Sequence, residues 1–96
     1  MRIFRTDRAN QDLLQIYSYL AERNQTAADN LIQEIDSQFR NLARFPFIGR
    51  ERDSLAPGIR SIVVGTFLVL YLVERERIVV VRIIDGRMDV DEEFKR

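Results

Sequence analysis

Two stretches in the first half of the chain carry apolar residues at spacings of three and four, which is typical of amphipathic helices. The first apolar stripe consists of Ala9, Leu13, Ile16, Tyr17 and Leu20. The second consists of Ala28, Leu31, Ile32, Ile35, Phe39 and Leu42. The first helix should run to about Arg23. The second should end near Arg44, because Pro46 disfavours helical geometry at the residue before it. Residues 24–26 interrupt the periodicity, so the pattern predicts a helical hairpin.

The starts of both helices carry polar residues of the kinds that cap helices. Thr6 and Asp7 are both suitable N-caps for the first helix, because their side-chain oxygens can accept a hydrogen bond from a free backbone N–H. Thr26 and Asp29 resemble a capping box for the second helix, with aspartate in place of the usual glutamate or glutamine. That motif would make Thr26 the N-cap of the second helix.

The remaining apolar stretches are short and mostly rich in β-branched residues, which indicates strands. They are residues 2–6, 59–64, 67–73 and 78–84. Gly65 and Thr66 fit a two-residue hairpin turn with glycine first, and residues 74–77 make the next turn. Residues 45–58 contain both prolines and two of the four glycines. We expect a loop there, with a helical turn around residues 53–55.

The order of elements, β-α-α-β-β-β, predicts an α+β fold in a single domain over residues 1–96. The helical hairpin should pack on one face of a twisted, mostly antiparallel sheet, because neither element can bury its apolar face alone. Residues 67–73 are apolar on both faces, which favours a central position in the sheet. The other face of the sheet must then be covered by the C-terminal tail, residues 89–96, or by a partner.

Composition excludes several kinds of chemistry. The chain has no cysteine and no histidine, which removes disulfides, thiol nucleophiles, ordinary zinc sites and histidine-dependent catalysis. No cofactor or metal is expected. The 15 basic and 15 acidic residues give zero net charge, so tight autonomous binding of nucleic acid is not expected either. The sequence shows no signal peptide and no stretch long enough to span a membrane. We therefore expect a cytoplasmic protein without membrane association.

Arg60 and Arg82 lie inside predicted strands, where a charged side chain needs a partner. Strict alternation places Arg82 on the same face as Val80 and Ile84. One hypothesis is a buried ion pair between Arg82 and a nearby carboxylate, for instance Asp85 or a helix acid such as Glu34 or Asp36. The other hypothesis brings Arg60 and Arg82 together on an open face of the sheet, where two guanidinium groups would bind an anion.

The sequence Asp85-Gly86-Arg87 follows the last strand and most economically forms a turn, with Gly86 supplying backbone freedom. Arg50 and Arg52 belong either to a solvated loop or to an anion clamp. The tail contains four acidic residues, which we interpret as a solvated run rather than a metal site. They are Asp89, Asp91, Glu92 and Glu93. Two phenols are expected in the core: Tyr17 and Tyr71.

Three segments carry a resemblance to a known family. They are "DLLQIYSYL", "AADNLIQEIDSQFRNLARFPFIGRERDSL" and "GIRSIVVGTFLVLYLVERERIVVVRIIDGRMD". Their order and spacing, over almost the entire chain, are similar to those of the RelE/ParE superfamily of bacterial toxins from type II toxin–antitoxin systems. The last segment ends in Arg-Ile-Ile-Asp-Gly-Arg-x-Asp at residues 82–89, which resembles the ending typical of the ParE branch.

The resemblance to the ParE branch implies a toxin that inhibits DNA gyrase by binding and traps it on cleaved DNA, without catalytic residues of its own. It also implies a cognate antitoxin that wraps the toxin in a hetero-oligomer, and an association with plasmid stabilisation. The target-binding residues implied are Arg82, Gly86, Arg87 and Asp89. Arg60 would be a structural or charge partner. The sequence does not indicate which residues bind the antitoxin.

The RelE branch implies a different activity, ribosome-dependent cleavage of messenger RNA, and Arg60 and Arg82 match arginine positions in its cleft. This chain departs from that branch, because it has no histidine and no tyrosine beyond Tyr71. No evident group would take the proton of a 2′-hydroxyl. Toxins of the superfamily are also usually basic, whereas this chain is neutral. A third hypothesis is a non-toxic module that only binds an antitoxin.

Overall fold

The computed structural model describes all 96 residues. Strand β1 is Arg2–Arg5, helix α1 is Asp7–Arg23 and helix α2 is Gln25–Arg44. The two helices are linked through Asn24 alone, as the interrupted periodicity predicts. No helix combines the length and the apolarity that crossing a bilayer requires.

Side-chain caps set the starts of both long helices. The Thr6 hydroxyl accepts a hydrogen bond from the Ala9 amide at 3.0 Å, so the predicted cap of α1 is confirmed. Helix α2 is capped by Asn24, whose side chain accepts a backbone N–H of the first turn. The predicted capping box at Thr26 and Asp29 is therefore wrong. Asparagine is among the strongest caps, and the tight link between the helices starts α2 before Thr26 is reached.

Five strands form one sheet in the order β1-β5-β4-β3-β2. The four later strands are β2, Arg50–Glu51; β3, Arg60–Val64; β4, Phe67–Val73; and β5, Arg77–Asp85. Strand β1 runs parallel to β5, and the other pairings are antiparallel. The α+β prediction is confirmed, and β4 lies at the centre of the sheet. Strand β2 was not predicted, because two residues are too few to show a periodicity.

The turns and loops between the elements agree only in part with the sequence predictions. Gly65 has a φ angle of 61° and no non-glycine residue has a positive φ angle, which fits a two-residue hairpin with glycine first. The helical turn predicted around residues 53–55 is instead an isolated turn, closed by the Leu55 amide and the Arg52 carbonyl at 2.9 Å. The acidic tail forms a short helix, α3, Val90–Lys95.

The main core lies between the helical hairpin and one face of the sheet. Burial of a large apolar side chain stabilises a fold by about 1.5–3 kcal/mol, so this layer supplies most of the driving force. Tyr71 belongs to it, whereas Tyr17 is only half-buried and its hydroxyl donates to Asp29. The buried members are Ala9, Leu31, Ile35, Leu42, Ile62, Val64, Val69, Tyr71, Ile78, Val80 and Ile83.

A smaller apolar cluster lies on the opposite face of the sheet. Its buried members are Ile59, Leu70 and Ile84. Phe94 of α3 packs against them, together with Leu55 and Ala56 from the loop before β3. The C-terminal tail therefore covers this face, which was one of the two alternatives predicted for it.

A β-bulge in β5 decides which face Arg82 occupies. Leu70 pairs with Arg82, while the next residue of β4, Tyr71, pairs with Val80, so Val81 is the extra residue. Val80 consequently packs in the main core, and Arg82 lies on the α3 side of the sheet. The prediction that Arg82 and Val80 share a face is wrong, because the bulge breaks the alternation.

Candidate target-binding site

A buried ion pair lies where β1 ends and β5 continues. The Arg82 Nε donates to Asp12 Oδ2 at 2.7 Å, and Nη2 donates to Oδ1 at 3.2 Å. Asp12 Oδ2 also accepts from the Ile83 amide at 3.0 Å, and Arg82 is only 7% exposed. The ion pair was one of the two hypotheses for Arg82, and its partner is a residue of α1, which packs along β5. The partner is thus a helix acid, but the residues given as examples are wrong: Asp85, Glu34 and Asp36.

Backbone and side-chain groups at the junction of β1 and α1 hydrogen-bond to β5 beyond the last paired residue of β1. The Thr6 amide donates to the Val80 carbonyl at 3.0 Å, and the Thr6 hydroxyl donates to the Val81 carbonyl at 3.1 Å. Asp12 then accepts the Ile83 amide. These bonds satisfy backbone groups of β5 that no strand reaches. They fix the path of the last residues of β5 and of the turn that follows.

Arg82 also holds the C-terminal helix. Its Nη1 donates to the Glu93 carbonyl at 2.6 Å, which also accepts the Arg96 amide at the end of α3. Arg8 donates in the same way to the Arg96 carbonyl at 2.8 Å. The guanidinium of Arg82 therefore joins α1, β5 and α3 in one buried hydrogen-bond network.

Arg60 lies in a separate environment. Its guanidinium donates to the Glu51 carboxylate at 3.2 Å and to two backbone carbonyls of the preceding loop. Arg60 pairs across strands with Tyr71, whereas Arg82 pairs with Leu70. Because successive residues of β4 point to opposite faces, the two arginines lie on opposite faces of the sheet. The hypothesis of an open anion-binding pair of Arg60 and Arg82 is therefore wrong.

Tyr71 is fully buried and both functions of its hydroxyl are used. The hydroxyl accepts from the Gly49 amide at 2.9 Å and donates to the Pro46 carbonyl at 2.8 Å. Burial raises the pKa of Tyr71 above its ordinary value of 10.0, although the Gly49 N–H and the charge of Arg60 oppose the shift. A Cβ on Gly49 would lie 2.7 Å from the tyrosine ring, so glycine is required for this close approach. The phenol is a neutral structural group.

The turn after β5 presents an exposed ion pair. The Arg87 Nη2 donates to Asp85 Oδ2 at 2.7 Å and Nε donates to Oδ1 at 3.0 Å. The Arg87 amide also donates to Oδ1 at 3.0 Å. The side-chain hydrogen bonds from Arg87, and then the backbone one, lower the pKa of Asp85 below 3.8, and the same contact raises the pKa of Arg87. The Arg87 side chain is 73% exposed, so a planar guanidinium is held in a fixed orientation at the surface.

Gly86 is required by close packing rather than by its backbone conformation. Its amide donates to the Thr66 carbonyl at 2.8 Å, and a Cβ on Gly86 would lie 3.0 Å from that same oxygen. The left-handed region is occupied only by Gly58 and Gly65. The prediction that Gly86 supplies backbone freedom is therefore wrong. Glycine lets this turn lie directly against the turn between β3 and β4.

Asp89 has a local structural role. Its side chain accepts the Glu92 amide at 3.2 Å and so caps α3. Met88, between the turn and this cap, is exposed. No group of three or more acidic residues in the tail or elsewhere is arranged to hold a metal ion.

An open cleft lies beside the Asp85–Arg87 turn. Its walls come from α1 and from the first residue of β4, and its lining residues are Gln15, Ile16, Tyr19, Leu20, Phe67, Asp85 and Arg87. Tyr19 is 59% exposed, and the Arg23 guanidinium stacks on its ring at 3.6 Å from the centroid. The surface therefore combines an apolar floor with fixed arginines at its rim.

The predicted target-binding residues divide between surface and interior. Gly86, Arg87 and Asp89 are exposed at the turn, whereas Arg82 is buried behind it. Sequence reasoning missed Asp12, although a signal for it exists: it lies three residues after Ala9 and four before Ile16, inside the apolar stripe of α1. Sequence reasoning also missed Tyr19, and no signal pointed to it, because the cleft is made by elements distant in sequence.

The fold has counterparts among solved structures. A chain described as "Chromosomal ParDE TA system from P. aeruginosa" superposes with a TM-score of 0.74 and 26% identity, over 88% of this chain and 95% of that one. The "YoeB/ParE toxin from Agrobacterium tumefaciens" superposes with a TM-score of 0.63 over 88% of this chain and 98% of that one, and its 19% identity shows the fold alone. The two structures share the architecture of this chain.

Sequence comparison defines the family. The model of the family described as "ParE toxin of type II toxin-antitoxin system, parDE" matches residues 3–90. Toxin ParE3 of Caulobacter vibrioides is 37% identical over 90 residues, which are 93% of this chain and 90% of that protein. The chain belongs to the ParE toxin family of type II toxin–antitoxin systems. The sequence prediction of a ParE-branch member is confirmed.

Proposed function

We propose that the protein inhibits DNA gyrase by binding to it, without chemistry of its own, and that a cognate antitoxin neutralises it in a hetero-oligomer. The observation that carries the proposal is the exposed Asp85–Arg87 turn beside the cleft of α1, in a chain of the ParE family. This surface has the composition of a protein-binding site rather than of a catalytic centre.

The Arg87 guanidinium is the central element of the proposed contact. Arginine and tyrosine are enriched among the residues that dominate binding energy at protein interfaces. Asp85 holds Arg87 through two side-chain hydrogen bonds, so less conformational entropy is lost when a partner docks. The neighbouring Tyr19 and Phe67 offer apolar surface next to that charge.

The other residues of the predicted set have supporting parts in this proposal. Gly86 allows the close turn that orients Arg87, and Asp89 caps the helix that follows. Arg82 is buried against Asp12. It acts on target binding indirectly, by holding β5 and α3 in position. Arg60 also has a structural role, because it holds the loop before β2 through hydrogen bonds to two backbone carbonyls.

A ribosome-dependent nuclease is the weaker candidate. Such an activity needs a group that takes the 2′-hydroxyl proton and a cation near the leaving oxygen. Arg60 and Arg82 lie on opposite faces of the sheet, each with its own carboxylate. The Tyr71 phenol has a raised pKa and uses its hydroxyl in two hydrogen bonds. These contacts leave no evident general base beside an exposed arginine pair.

The test combines purified protein with gyrase and supercoiled plasmid, with and without ATP, and runs a translating-ribosome assay of mRNA cleavage in parallel. We expect linear plasmid after the proteins are denatured, and intact mRNA. Arg87→Gln should abolish the effect on plasmid. Arg75→Gln is the matched control, because Arg75 is an exposed arginine at the opposite end of β5.

The remaining outcomes separate the alternatives. Intact plasmid with cut mRNA would establish the nuclease and contradict gyrase inhibition. If neither substrate changes, gyrase inhibition and the nuclease are both contradicted, which leaves another target or a module that only binds an antitoxin. Equal activity of Arg87→Gln and Arg75→Gln would retain gyrase as the target and remove the Asp85–Arg87 turn as the contact.

A further inference from the structure

The Asp85–Gly86 bond is the only aspartyl–glycyl bond in the chain, because the other glycines follow isoleucine, proline and valine. An aspartate side chain can react with the backbone nitrogen of the next residue, since attack on its carboxyl carbon closes a five-membered ring. Glycine favours this attack, because no Cβ shields its nitrogen and its backbone turns freely. The aspartyl bond best suited to this reaction therefore lies in the exposed turn after β5.

The reaction needs only water and leaves the mass of the chain unchanged. The Gly86 nitrogen bonds to Asp85 Cγ, and the carboxyl hydroxyl leaves as water together with the amide proton. Hydrolysis of the resulting succinimide ring then adds one water. Opening at the side-chain carbonyl restores aspartate, whereas opening at the main-chain carbonyl leaves isoaspartate, in which the backbone runs through Cβ and Cγ.

Hydrogen bonds to both reacting groups oppose ring closure in the folded protein. The Gly86 N–H donates to the Thr66 carbonyl at 2.8 Å, which fixes the orientation of the nitrogen. Both carboxylate oxygens of Asp85 accept from the Arg87 guanidinium, at 2.7 and 3.0 Å. The same contact lowers the pKa of Asp85, so less of the protonated acid, the form that loses a hydroxyl, is present.

The two restraints differ in how easily they are released. The Thr66 contact joins backbone groups of two turns that pack directly against each other. The Arg87 side chain is 73% exposed, and exposed ion pairs contribute little to stability. Separation of Arg87 from Asp85 is therefore the event that frees the carboxyl to rotate towards the Gly86 nitrogen.

Asp53 is the natural comparison within the same chain. It lies in the loop before β3, whereas every other aspartate except Asp85 caps a helix or lies within one. Asp53 Oδ1 accepts from the Gly58 amide at 3.0 Å. The residue after it is Ser54, whose side chain hinders attack by its own nitrogen, so Asp53 should react more slowly than an unrestrained Asp85.

We infer that the Asp85–Gly86 bond is a site of spontaneous isomerisation to isoaspartate, and that the Arg87 guanidinium restrains the reaction by holding the Asp85 carboxylate. The product cannot keep the present ion pair, because its free carboxylate is attached directly to Cα and its backbone is one methylene longer. Arg87 then loses its fixed orientation. The isomerisation does not depend on gyrase, and only its effect on target binding rests on the proposed function.

The experiment incubates the folded full-length protein and its variants for the same period at neutral pH. Trypsin releases residues 83–87 of the native chain as one peptide, and electron-transfer fragmentation distinguishes isoaspartate from aspartate at equal mass. We expect slow formation of isoaspartate at residue 85 in the native protein and a rate several-fold higher in Arg87→Gln. Arg87→Lys, which keeps the charge without the two-point contact, should lie between them.

Two control variants separate this mechanism from general effects. Arg75→Gln removes an exposed arginine at the opposite end of β5 and should react at the native rate. Asp85→Glu should give no product at residue 85, because the six-membered ring that glutamate would need closes far more slowly. Circular dichroism and the urea midpoint establish that each variant is folded, and Arg87→Lys carries the test if Arg87→Gln is not.

Three results would overturn the inference. They are equal rates in the native protein and both Arg87 variants, an equal rise in Arg75→Gln, and more isoaspartate at Asp53 than at Asp85 in Arg87→Gln. Absence of isoaspartate at residue 85 from the folded variants, while the urea-unfolded chain forms it, would also overturn the role of Arg87 and leave the Thr66 contact as the restraint. Neither gyrase nor antitoxin is present, so failure here leaves the proposed function standing.

Discussion

Two arginine–aspartate pairs near the end of β5 have almost the same geometry and very different surroundings. In each pair one guanidinium meets both carboxylate oxygens, and the shortest nitrogen–oxygen distance is 2.7 Å. Both side chains of the Asp12–Arg82 pair are buried, whereas Arg87 of the Asp85–Arg87 pair is largely exposed. Geometry alone therefore does not separate a structural ion pair from a surface one; burial does.

The two pairs also differ in how far apart their residues lie in the sequence. Asp12 and Arg82 are 70 residues apart, whereas Asp85 and Arg87 are 2 residues apart. The distant pair exists only when α1 and β5 are packed together. The local pair needs only its own turn. Removal of the first should therefore weaken the whole fold, and removal of the second should change only what the surface offers to a partner.

The largest effect is expected for Asp12→Ala, which leaves the Arg82 charge buried without a partner. Breaking a buried ion pair from one side costs about 3–5 kcal/mol, a large part of the total stability of a small domain. Urea unfolding measures the loss. Asp85→Ala, the matched truncation in the exposed pair, should move the unfolding midpoint far less.

A double variant identifies the cause of that loss. Asp12→Leu combined with Arg82→Met removes both charges and should recover much of the stability, because replacing a buried pair by apolar residues is often neutral or better. Failure to recover would mean that the missing stability comes from the backbone partners of the pair, the Ile83 amide and the Glu93 carbonyl, and not from the unpaired charge.

Tyr71→Phe should have the next largest effect. It leaves the Gly49 N–H and the Pro46 C=O without partners, which costs about 1–3 kcal/mol for buried groups. The raised pKa adds a pH dependence. The stabilisation is complete below the unfolded pKa of about 10 and is lost as pH rises through the folded pKa, because the unfolded phenol ionises first. Thermal unfolding between neutral and alkaline pH should show this fall in the native protein and a shallower one in Tyr71→Phe.

Asp89→Ala should have a smaller and local effect. Loss of an N-cap costs about 1 kcal/mol, and α3 is still held at its other end by Arg82 through the Glu93 carbonyl. We expect faster amide exchange at Glu92 and Glu93 with little change in β5. Exchange as slow as in the native protein would show that the buried pair alone holds the tail.

Arg87→Gln should have the smallest effect on stability near neutral pH, because an exposed ion pair contributes little to the free energy of unfolding. It should instead change the pKa of Asp85. The hydrogen bonds from Arg87 hold the pKa of Asp85 low, so that pKa should rise towards its ordinary value in the variant. In the native protein, the stabilisation that comes with the lowered pKa is present above the pKa of Asp85 in the unfolded chain. It is lost as pH falls through the pKa of Asp85 in the folded chain. NMR titration of the Asp85 carboxyl checks this, and an unchanged pKa would mean that the ion pair does not persist in solution.

The sequence predicts local features of this protein well. The stripes of α1 and α2 depend only on residues three and four apart, and the central position of β4 depends only on its own apolar run. Each of these conclusions uses a physical relation that acts within one element.

The predictions fail where distant elements decide the outcome. The partner of Arg82 is Asp12 because α1 passes β5, and no local pattern states that. The bulge at Val81 separates Val80 from Arg82, and it is a property of the pairing with β4 rather than of β5 alone. The cleft beside Arg87 likewise exists only because α1 packs near the first residue of β4.

The parallel pairing of β1 with β5 has a consequence for synthesis. Arg2 pairs with Arg77, so the first strand to leave the ribosome has no neighbour until the last strand has been made. At about 5–20 residues per second, the intervening 75 residues take about 4–15 s. A chain interrupted before Arg77 lacks both the strand that holds β1 and the turn that carries Arg87. We therefore expect unfinished chains to be unfolded and harmless, and the finished chain to acquire its fold and its binding surface together.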